Sequence, residues 1–175
     1  MDKPLVVILM GSNADMEHCK KISDACKGFG IEAVMRVGSA HKTAEHALAI
    51  LREFEADERP KVYITVAGRS NALSGFTDGF VSAPVIACPP PSESFGGADI
   101  YSSLRMPSGI APAVILEPVN AALFEAKIFG ITNAEHQPAQ LGEPAHPSDG
   151  RVARRDVPSL GKIVHHGVSV VGPER

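Results

Sequence analysis

The stretch Leu5-Val6-Val7-Ile8-Leu9-Met10-Gly11-Ser12-Asn13-Ala14-Asp15 joins six consecutive apolar residues to a short loop of small and polar residues. A continuous apolar run of this length is typical of a strand that is covered on both faces, as in a parallel sheet. Apolar residues at helical spacing follow the loop, at Met16, Cys19, Ile22, Cys26 and Phe29. The stretch therefore predicts a strand, a loop and a helix in that order.

The same alternation continues along the chain. Further strands are predicted over residues 31–37, 62–66, 85–88 and 113–116, and longer helices after Thr43 and over residues 121–129. Five strands separated by helices predict an α/β fold with a doubly wound parallel sheet. The expected architecture is a flavodoxin-like, three-layer α/β/α sandwich in a single domain. Ligands of such sheets bind at the carboxyl ends of the strands.

The composition excludes several classes of protein. A net charge of −3 excludes a general nucleic-acid binder, and the longest apolar run, six residues, is far below the roughly 20 of a membrane helix. Met1-Asp2-Lys3 leads directly into the first strand without the basic segment and longer apolar stretch of a signal peptide, so we expect none. The three cysteines form no CxxC pair, which argues against a secreted disulfide scaffold. We therefore expect a cytoplasmic protein that binds neither nucleic acid nor membrane.

The composition changes near residue 132. Residues 136–175 contain no aromatic residue, five Pro, five Gly and four of the seven His. So much Pro and Gly works against a long helix. We expect a compact domain over residues 1–132 and an irregular, poorly ordered tail over residues 133–175, with one short strand possible within 161–171.

The first two predicted strands each lead into a loop that could bind an anion. In Gly11-Ser12-Asn13-Ala14-Asp15, either Asn13 or Asp15 caps the next helix, or the loop binds a phosphate or ribose at the helix N-terminus. In Gly38-Ser39-Ala40-His41-Lys42-Thr43, an imidazole able to exchange a proton near neutral pH stands beside a fixed positive charge. His41 and His46 lie five residues apart, which does not match a helical zinc pair, so no metal site is predicted.

The third strand leads into Ala67-Gly68-Arg69-Ser70-Asn71-Ala72-Leu73-Ser74-Gly75. Small residues let the backbone approach a ligand closely, and an arginine fork can bind an oxyanion. The alternative is a plain connector with a solvated arginine. No single loop decides between the two interpretations.

Together, Gly11-Ser12-Asn13-Ala14-Asp15, Ser39-Ala40-His41-Lys42 and Ala67-Gly68-Arg69-Ser70-Asn71 resemble the three active-site loops of the PurE family. These enzymes of purine biosynthesis place the carboxylate on aminoimidazole ribonucleotide. The segments Pro84-Val85-Ile86-Ala87-Cys88-Pro89-Pro90 and Ser102-Ser103-Leu104-Arg105-Met106-Pro107-Ser108-Gly109 also match the family. The resemblance covers residues 4–132.

The loops also bear on which of the family's two reactions applies. The mutase branch, which moves a carboxyl group from N5 to C4, typically has His-Arg in the second loop and Gly-Gly-Ala-Ala-His in the third. Here the loops read His41-Lys42 and Gly68-Arg69-Ser70-Asn71. That resembles the carboxylase branch, which adds free carbon dioxide reversibly. A mutase, or a non-catalytic flavodoxin-like nucleotide-binding module, remains the alternative.

The resemblance implies a role for each loop. The ribose and phosphate would be bound by the first two loops, through Gly11, Ser12, Asn13, Asp15, Ser39, Ala40 and Lys42. His41 would be the catalytic residue that removes the C4 proton. Carbon dioxide or the new carboxylate would be bound by the third loop, through Gly68, Arg69, Ser70 and Asn71.

The resemblance also implies the partners. The substrates would be aminoimidazole ribonucleotide and carbon dioxide, with no cofactor or metal, because C4 of the electron-rich aminoimidazole can attack carbon dioxide directly. A homo-oligomer, an octamer by family resemblance, is expected. Two departures stand out: Ala14 replaces a usual second serine, and the tail lacks the C-terminal helix with which members usually continue.

Overall fold

The structure is a computed structural model and describes residues 3–133. Five strands alternate with helices along this part of the chain, which confirms the predicted α/β fold. The strands are β1 (Leu5–Met10), β2 (Glu32–Val37), β3 (Lys61–Val66), β4 (Val85–Ala87) and β5 (Ala113–Val114). The helices are α1 (Met16–Gly28), α2 (Ala44–Glu55), α3 (Ala72–Asp78), α4 (Tyr101–Leu104) and α5 (Pro118–Thr132).

All five strands are parallel and lie in the order β2-β1-β3-β4-β5. β1 is paired along its whole length with both neighbours, from Leu5 opposite Glu32 and Lys61 to Met10 opposite Val37 and Val66. The chain leaves β1 for one side of the sheet and returns at β3 on the other. This is the switch point of a flavodoxin-like sheet, so the loops after β1 and β3 lie next to each other.

Both faces of the sheet are covered by helices. On one face, Val6, Ile8 and Met10 of β1 pack in a cluster with α1 and α5. On the other face, Leu5, Val7 and Leu9 pack in a second cluster with residues of α2 and α3. All six side chains of β1 are fully buried, which explains why the strand is apolar without interruption.

Several boundaries differ from the sequence prediction. β5 has two residues instead of four, because within residues 3–133 it is an edge strand whose pairing is limited to Ile86 and Ala87 of the three-residue β4. α5 begins at Pro118, earlier than predicted, since proline is well tolerated in the first turn of a helix. Within residues 3–133, no helix is long and apolar enough to cross a membrane. The predicted tail over 133–175, and the strand within it, lie beyond the described residues except for Asn133.

One carboxyl group is buried in the interface between α1 and α5. Glu125 has no exposed surface, and neither of its carboxylate oxygens has a hydrogen-bond partner in the part of the chain that the structure describes. Burial raises the pKa of Glu125 from 4.5 to about 8, and the nearby Cys26 thiol opposes this only in part. The side chain is therefore neutral in the folded protein at neutral pH.

We expect Glu125→Gln to change how stability depends on pH. Between pH 4.5 and about 8, Glu125 ionises in the unfolded chain but stays protonated in the folded protein. Its contribution to the free energy of unfolding therefore falls as pH rises, by up to about 1.4 kcal/mol per pH unit, and levels off above the folded pKa. Glutamine has the same shape and does not ionise, so the variant lacks this dependence.

Denaturant unfolding of both proteins across this pH range measures the effect. The stability of the variant relative to the original chain should rise with pH and become constant above about pH 8. A difference that does not change with pH would contradict a neutral, buried Glu125.

Candidate active site

The three polar loops meet at the carboxyl edge of the sheet. They line a cavity of about 480 Å³, which we call the loop cavity. Its walls contain ten of the residues proposed from the sequence: Gly11, Ser12, Asp15, Ser39, Ala40, His41, Lys42, Gly68, Arg69 and Ser70. Ala14, Ala67 and Leu73 complete the lining, whereas Asn13 and Asn71 do not take part in it.

The first loop is capped by a residue other than those predicted. The Ser12 hydroxyl accepts a hydrogen bond from the backbone N–H of Ala14 at 3.1 Å and caps a short 3-10 helix over Asn13–Asp15. Asp15 precedes α1 without capping it through its side chain. Of the two interpretations of this loop, side-chain capping of α1 by Asn13 or Asp15 is wrong, because the 3-10 helix intervenes and Asp15 stands at the N-cap position of α1 without a side-chain bond to it.

The Asp15 carboxylate is thus available for other contacts. It is half-buried in the wall of the loop cavity. Burial raises the pKa of Asp15, while the Ser12 backbone N–H and the charge of His18 act in the opposite direction. A carboxylate that is partly desolvated and makes no capping bond is suited to accept hydrogen bonds from ligand hydroxyls.

The second loop is shaped by a glycine and two hydroxyl groups. A Cβ on Gly38 would lie 3.1 Å from both Cα and Cβ of Ala47, so the close approach of β2 to α2 favours glycine. Ser39 N–H donates to Thr43 Oγ1 at 3.0 Å, and Lys42 N–H donates to Ser39 Oγ at 3.2 Å. Thr43 precedes α2, as predicted, but its hydroxyl supports this turn and does not cap the helix.

The third loop contains an unusual backbone conformation. Arg69 has a φ of +58°, in the left-handed region that costs a non-glycine residue roughly 1–2 kcal/mol. Arg69 lines the loop cavity, and its carbonyl oxygen lies 3.0 Å from the Ser102 hydroxyl of α4. Such strain persists only where surrounding contacts hold the residue in place.

Asn71 lies behind this loop. It is 2% exposed, and its side-chain oxygen accepts from Ser74 N–H at 3.3 Å, which caps α3. Its amide nitrogen donates to Ser103 Oγ at 3.0 Å. Because its hydrogen bonds are directed away from the loop cavity, Asn71 is placed to support the loop.

A second cavity of about 530 Å³ shares Ala67, Gly68 and Arg69 with the first. His18 and Lys21 of α1 also line it, together with a proline-rich stretch that follows β4. His18 Nε2 lies 3.4 Å from Cys88 Sγ. Burial lowers the pKa of His18 and raises that of Cys88 to about 12, so this pair is a neutral imidazole and a thiol near pH 7.

The charged groups around the loop cavity are largely unpaired. Within residues 3–133, the side chains of His41, Lys42 and Arg69 form no hydrogen bond or ion pair with another residue. No group of three His, Cys, Asp or Glu residues in this range could hold a metal ion. The cavity therefore offers a histidine and two free cationic side chains to an anionic ligand.

Comparison with known proteins identifies the family. The sequence profile described as AIR carboxylase matches residues 5–142. The chain belongs to the AIR carboxylase family. It is 66% identical over 133 residues to the phosphoribosylaminoimidazole carboxylase of Treponema denticola, an alignment that covers 76% of this chain and 84% of the relative.

Two further AIR carboxylase relatives extend the comparison. The phosphoribosylaminoimidazole carboxylase of Archaeoglobus fulgidus is 58% identical over 125 residues, which cover 71% of this chain and 68% of the relative. The crystal structure of Treponema denticola PurE matches with a TM-score of 0.76 and 66% identity, over 77% of this chain and 85% of that one. The flavodoxin-like fold predicted from the sequence is thereby confirmed.

Sequence reasoning missed three residues that shape the site. Ser102 and Ser103 stood in a segment that matched the family, but nothing in the sequence assigned them to the third loop, 31 to 33 residues away. His18 follows Asp15 by three residues, a spacing that places two residues on the same side of a helix. That spacing was a usable signal for a second ionisable group beside the site.

Proposed function

We propose that the chain is a phosphoribosylaminoimidazole carboxylase, which adds carbon dioxide to C4 of aminoimidazole ribonucleotide. The observation that carries this function is the loop cavity, where unpaired His41, Lys42 and Arg69 meet at the switch point of the sheet. Family membership and the names of the relatives from Treponema denticola and Archaeoglobus fulgidus support the same reaction.

The first two loops bind the ribose and phosphate in this proposal. The Ser12 and Ser39 hydroxyls each accept a backbone N–H, and each keeps its own proton to donate to a phosphate oxygen. Lys42 supplies a positive charge beside them. Asp15, which makes no side-chain cap, accepts hydrogen bonds from the ribose hydroxyls. Gly11 and Ala40 let the backbone come close to the ligand.

The reaction needs one proton transfer. C4 of the aminoimidazole forms a bond to the carbon of carbon dioxide, and one C–O π-electron pair moves onto oxygen to give the carboxylate. His41 then removes the C4 proton, which restores the aromatic ring, and returns it in the reverse reaction. General base catalysis of this kind contributes about 10²–10⁴-fold to the rate.

The third loop binds the carbon dioxide and the new carboxylate. Gly68 and Ser70 line the wall, and the Arg69 guanidinium is free to pair with the negative charge that develops on the oxygens. Asn71 acts indirectly, since its hydrogen bonds hold the loop. Asn13, which does not line the cavity, contributes its backbone to the first loop.

The mutase is not favoured. The relatives carry the name carboxylase, and the third loop has Arg69-Ser70-Asn71 where the mutase branch has Ala-Ala-His. The cytoplasmic location expected from the sequence stays a prediction.

An activity assay with two substrates tests the function. Purified protein is given aminoimidazole ribonucleotide with bicarbonate, and separately the N5-carboxylated ribonucleotide, and formation of the 4-carboxylate is followed. We expect turnover with bicarbonate and none with the N5-carboxylated compound beyond its spontaneous decay. Turnover of the N5-carboxylated compound alone would make the chain a mutase.

We expect His41→Asn to bind the ribonucleotide with nearly unchanged affinity and to lose at least ~10²-fold in kcat, because asparagine cannot transfer the proton. Calorimetric titration and steady-state rates measure the two quantities. His46→Asn is the matched control, since His46 is exposed on α2 and does not line the loop cavity. Near-normal turnover of His41→Asn would exclude His41 as the base.

We also propose that the chain forms a homo-oligomer, an octamer by resemblance to its family. Nine large apolar side chains are exposed on the described part: Val37, Phe80, Phe95, Tyr101, Leu104, Leu116, Val119, Phe124 and Ile131. Exposed apolar groups in this number favour contact with another protein surface. Sedimentation analysis should give the mass of eight chains, and a monomer at assay concentration would contradict the proposal.

A further inference from the structure

The third loop owes its shape to a side chain outside the loop. Ser102 Oγ accepts a hydrogen bond from the backbone N–H of Asn71 at 2.9 Å. It also lies 3.0 Å from the carbonyl oxygen of Arg69 and 2.7 Å from that of Asp99, to either of which it can donate its single proton. One hydroxyl thus contacts the residue at positive φ and the residue two positions later.

We propose that Ser102 is a positioning residue, which holds the Gly68–Asn71 loop in the conformation that presents Arg69 to the loop cavity. This inference rests on the proposed function, because it concerns the loop assigned to carbon dioxide. It assigns to α4 a role in the reaction although Ser102 does not line the cavity.

The backbone at Arg69 explains why such a residue is needed. A non-glycine residue with a φ of +58° tends to return to negative φ unless its neighbours prevent this. The Ser102 hydroxyl contacts the carbonyl oxygen of Arg69 and the backbone N–H of Asn71, the residues on either side of Ser70. Loss of the hydroxyl leaves the backbone N–H of the buried Asn71 without its acceptor and removes the contact with the Arg69 carbonyl.

Ser102 also connects the loop to the segment that follows β4. Its contact with the Asp99 carbonyl joins it to a residue whose carboxylate accepts a hydrogen bond from Ser92 Oγ at 2.7 Å. Asp99 and Ser92 line the second cavity, which shares Arg69 with the first. Ser102 therefore contacts both Arg69, which lines both cavities, and Asp99, which lines the second cavity.

The first two loops have no contact with Ser102 among their hydrogen bonds. The proposal therefore predicts different effects on the two substrates, carbon dioxide and the ribonucleotide. Removal of the hydroxyl should weaken the use of carbon dioxide and leave the binding of the ribose and phosphate unchanged. A defect in folding would affect both.

The test compares Ser102→Ala with Ser102→Thr, which keeps the hydroxyl, and with Ser108→Ala, an exposed serine of the same segment. For Ser102→Ala we expect the KM for bicarbonate to rise about tenfold, the usual effect of losing one hydrogen-bond partner of a buried group. The dissociation constant of the ribonucleotide should not change. Ser102→Thr should restore the KM, and Ser108→Ala should match the original chain.

Amide hydrogen exchange supplies a readout that does not depend on activity. In Ser102→Ala, peptides covering residues 67–74 should exchange about tenfold faster, while those of β1 keep their rate. Unchanged exchange in the loop would overturn the proposal. Equal acceleration in β1 would also overturn it, because Ser102 would then serve general stability.

A double variant tests whether Ser102 acts through Arg69. If it does, Ser102→Ala should raise the bicarbonate KM much less in an Arg69→Ala background than in the original chain. Additive effects would overturn the proposal. If the original chain has no carboxylase activity, the proposed function fails, while the exchange measurement still decides whether Ser102 holds the loop.

Discussion

Strand β1 is the constraint on which the rest of the structure depends. It is paired on both edges, with β2 and β3, and covered on both faces, so each of its side chains must be apolar. The chain crosses the sheet in one direction from β1 to β2 and in the other from β2 to β3, and because parallel crossovers are right-handed, α1 and α2 lie in opposite layers. Because β2, β1 and β3 are adjacent and parallel, the loops that follow them lie side by side at one edge of the sheet.

The site combines two kinds of polar group with opposite requirements. Among the described residues, His41, Lys42 and Arg69 line the loop cavity without a side-chain partner, so an anionic ligand can contact them without displacing another protein group. Asn71, Ser102 and Ser103 are satisfied among themselves and partly or fully buried. The second group supports the loop backbone through hydrogen bonds, and the first group leaves a histidine and two cationic side chains open to the loop cavity. The hydrogen bonds of the second group can therefore hold the third loop in one conformation although Arg69 has a positive φ.

The sequence predicted most where the signal is local. β1 is recovered residue by residue because six contiguous buried positions have no polar interruption. The sequence left open whether Asn13 or Asp15 caps α1, and neither does so through its side chain, because a 3-10 helix capped by Ser12 precedes α1 and depends on a backbone path that residue types do not reveal. β5 was overextended because its partner is too short, which depends on pairing and not on composition. Ten of the twelve proposed site residues line the cavity because the resemblance preserves loop order.

Contacts between residues that are far apart in the sequence could not be predicted from local patterns. Ser102 reaches Asn71 across 31 positions, and Glu125 lies buried near Cys26 across almost the whole domain. Neither residue differs in type from the exposed serines and glutamates of the chain, so composition and periodicity cannot distinguish them. Ser102 joins α4 to the third loop by hydrogen bonds, and Glu125 places a buried carboxyl group between α1 and α5, so both act between elements that are far apart in the sequence. The backbone of the third loop is thus tied by hydrogen bonds to a helix of four residues, α4, whose propensity alone would not identify it as important.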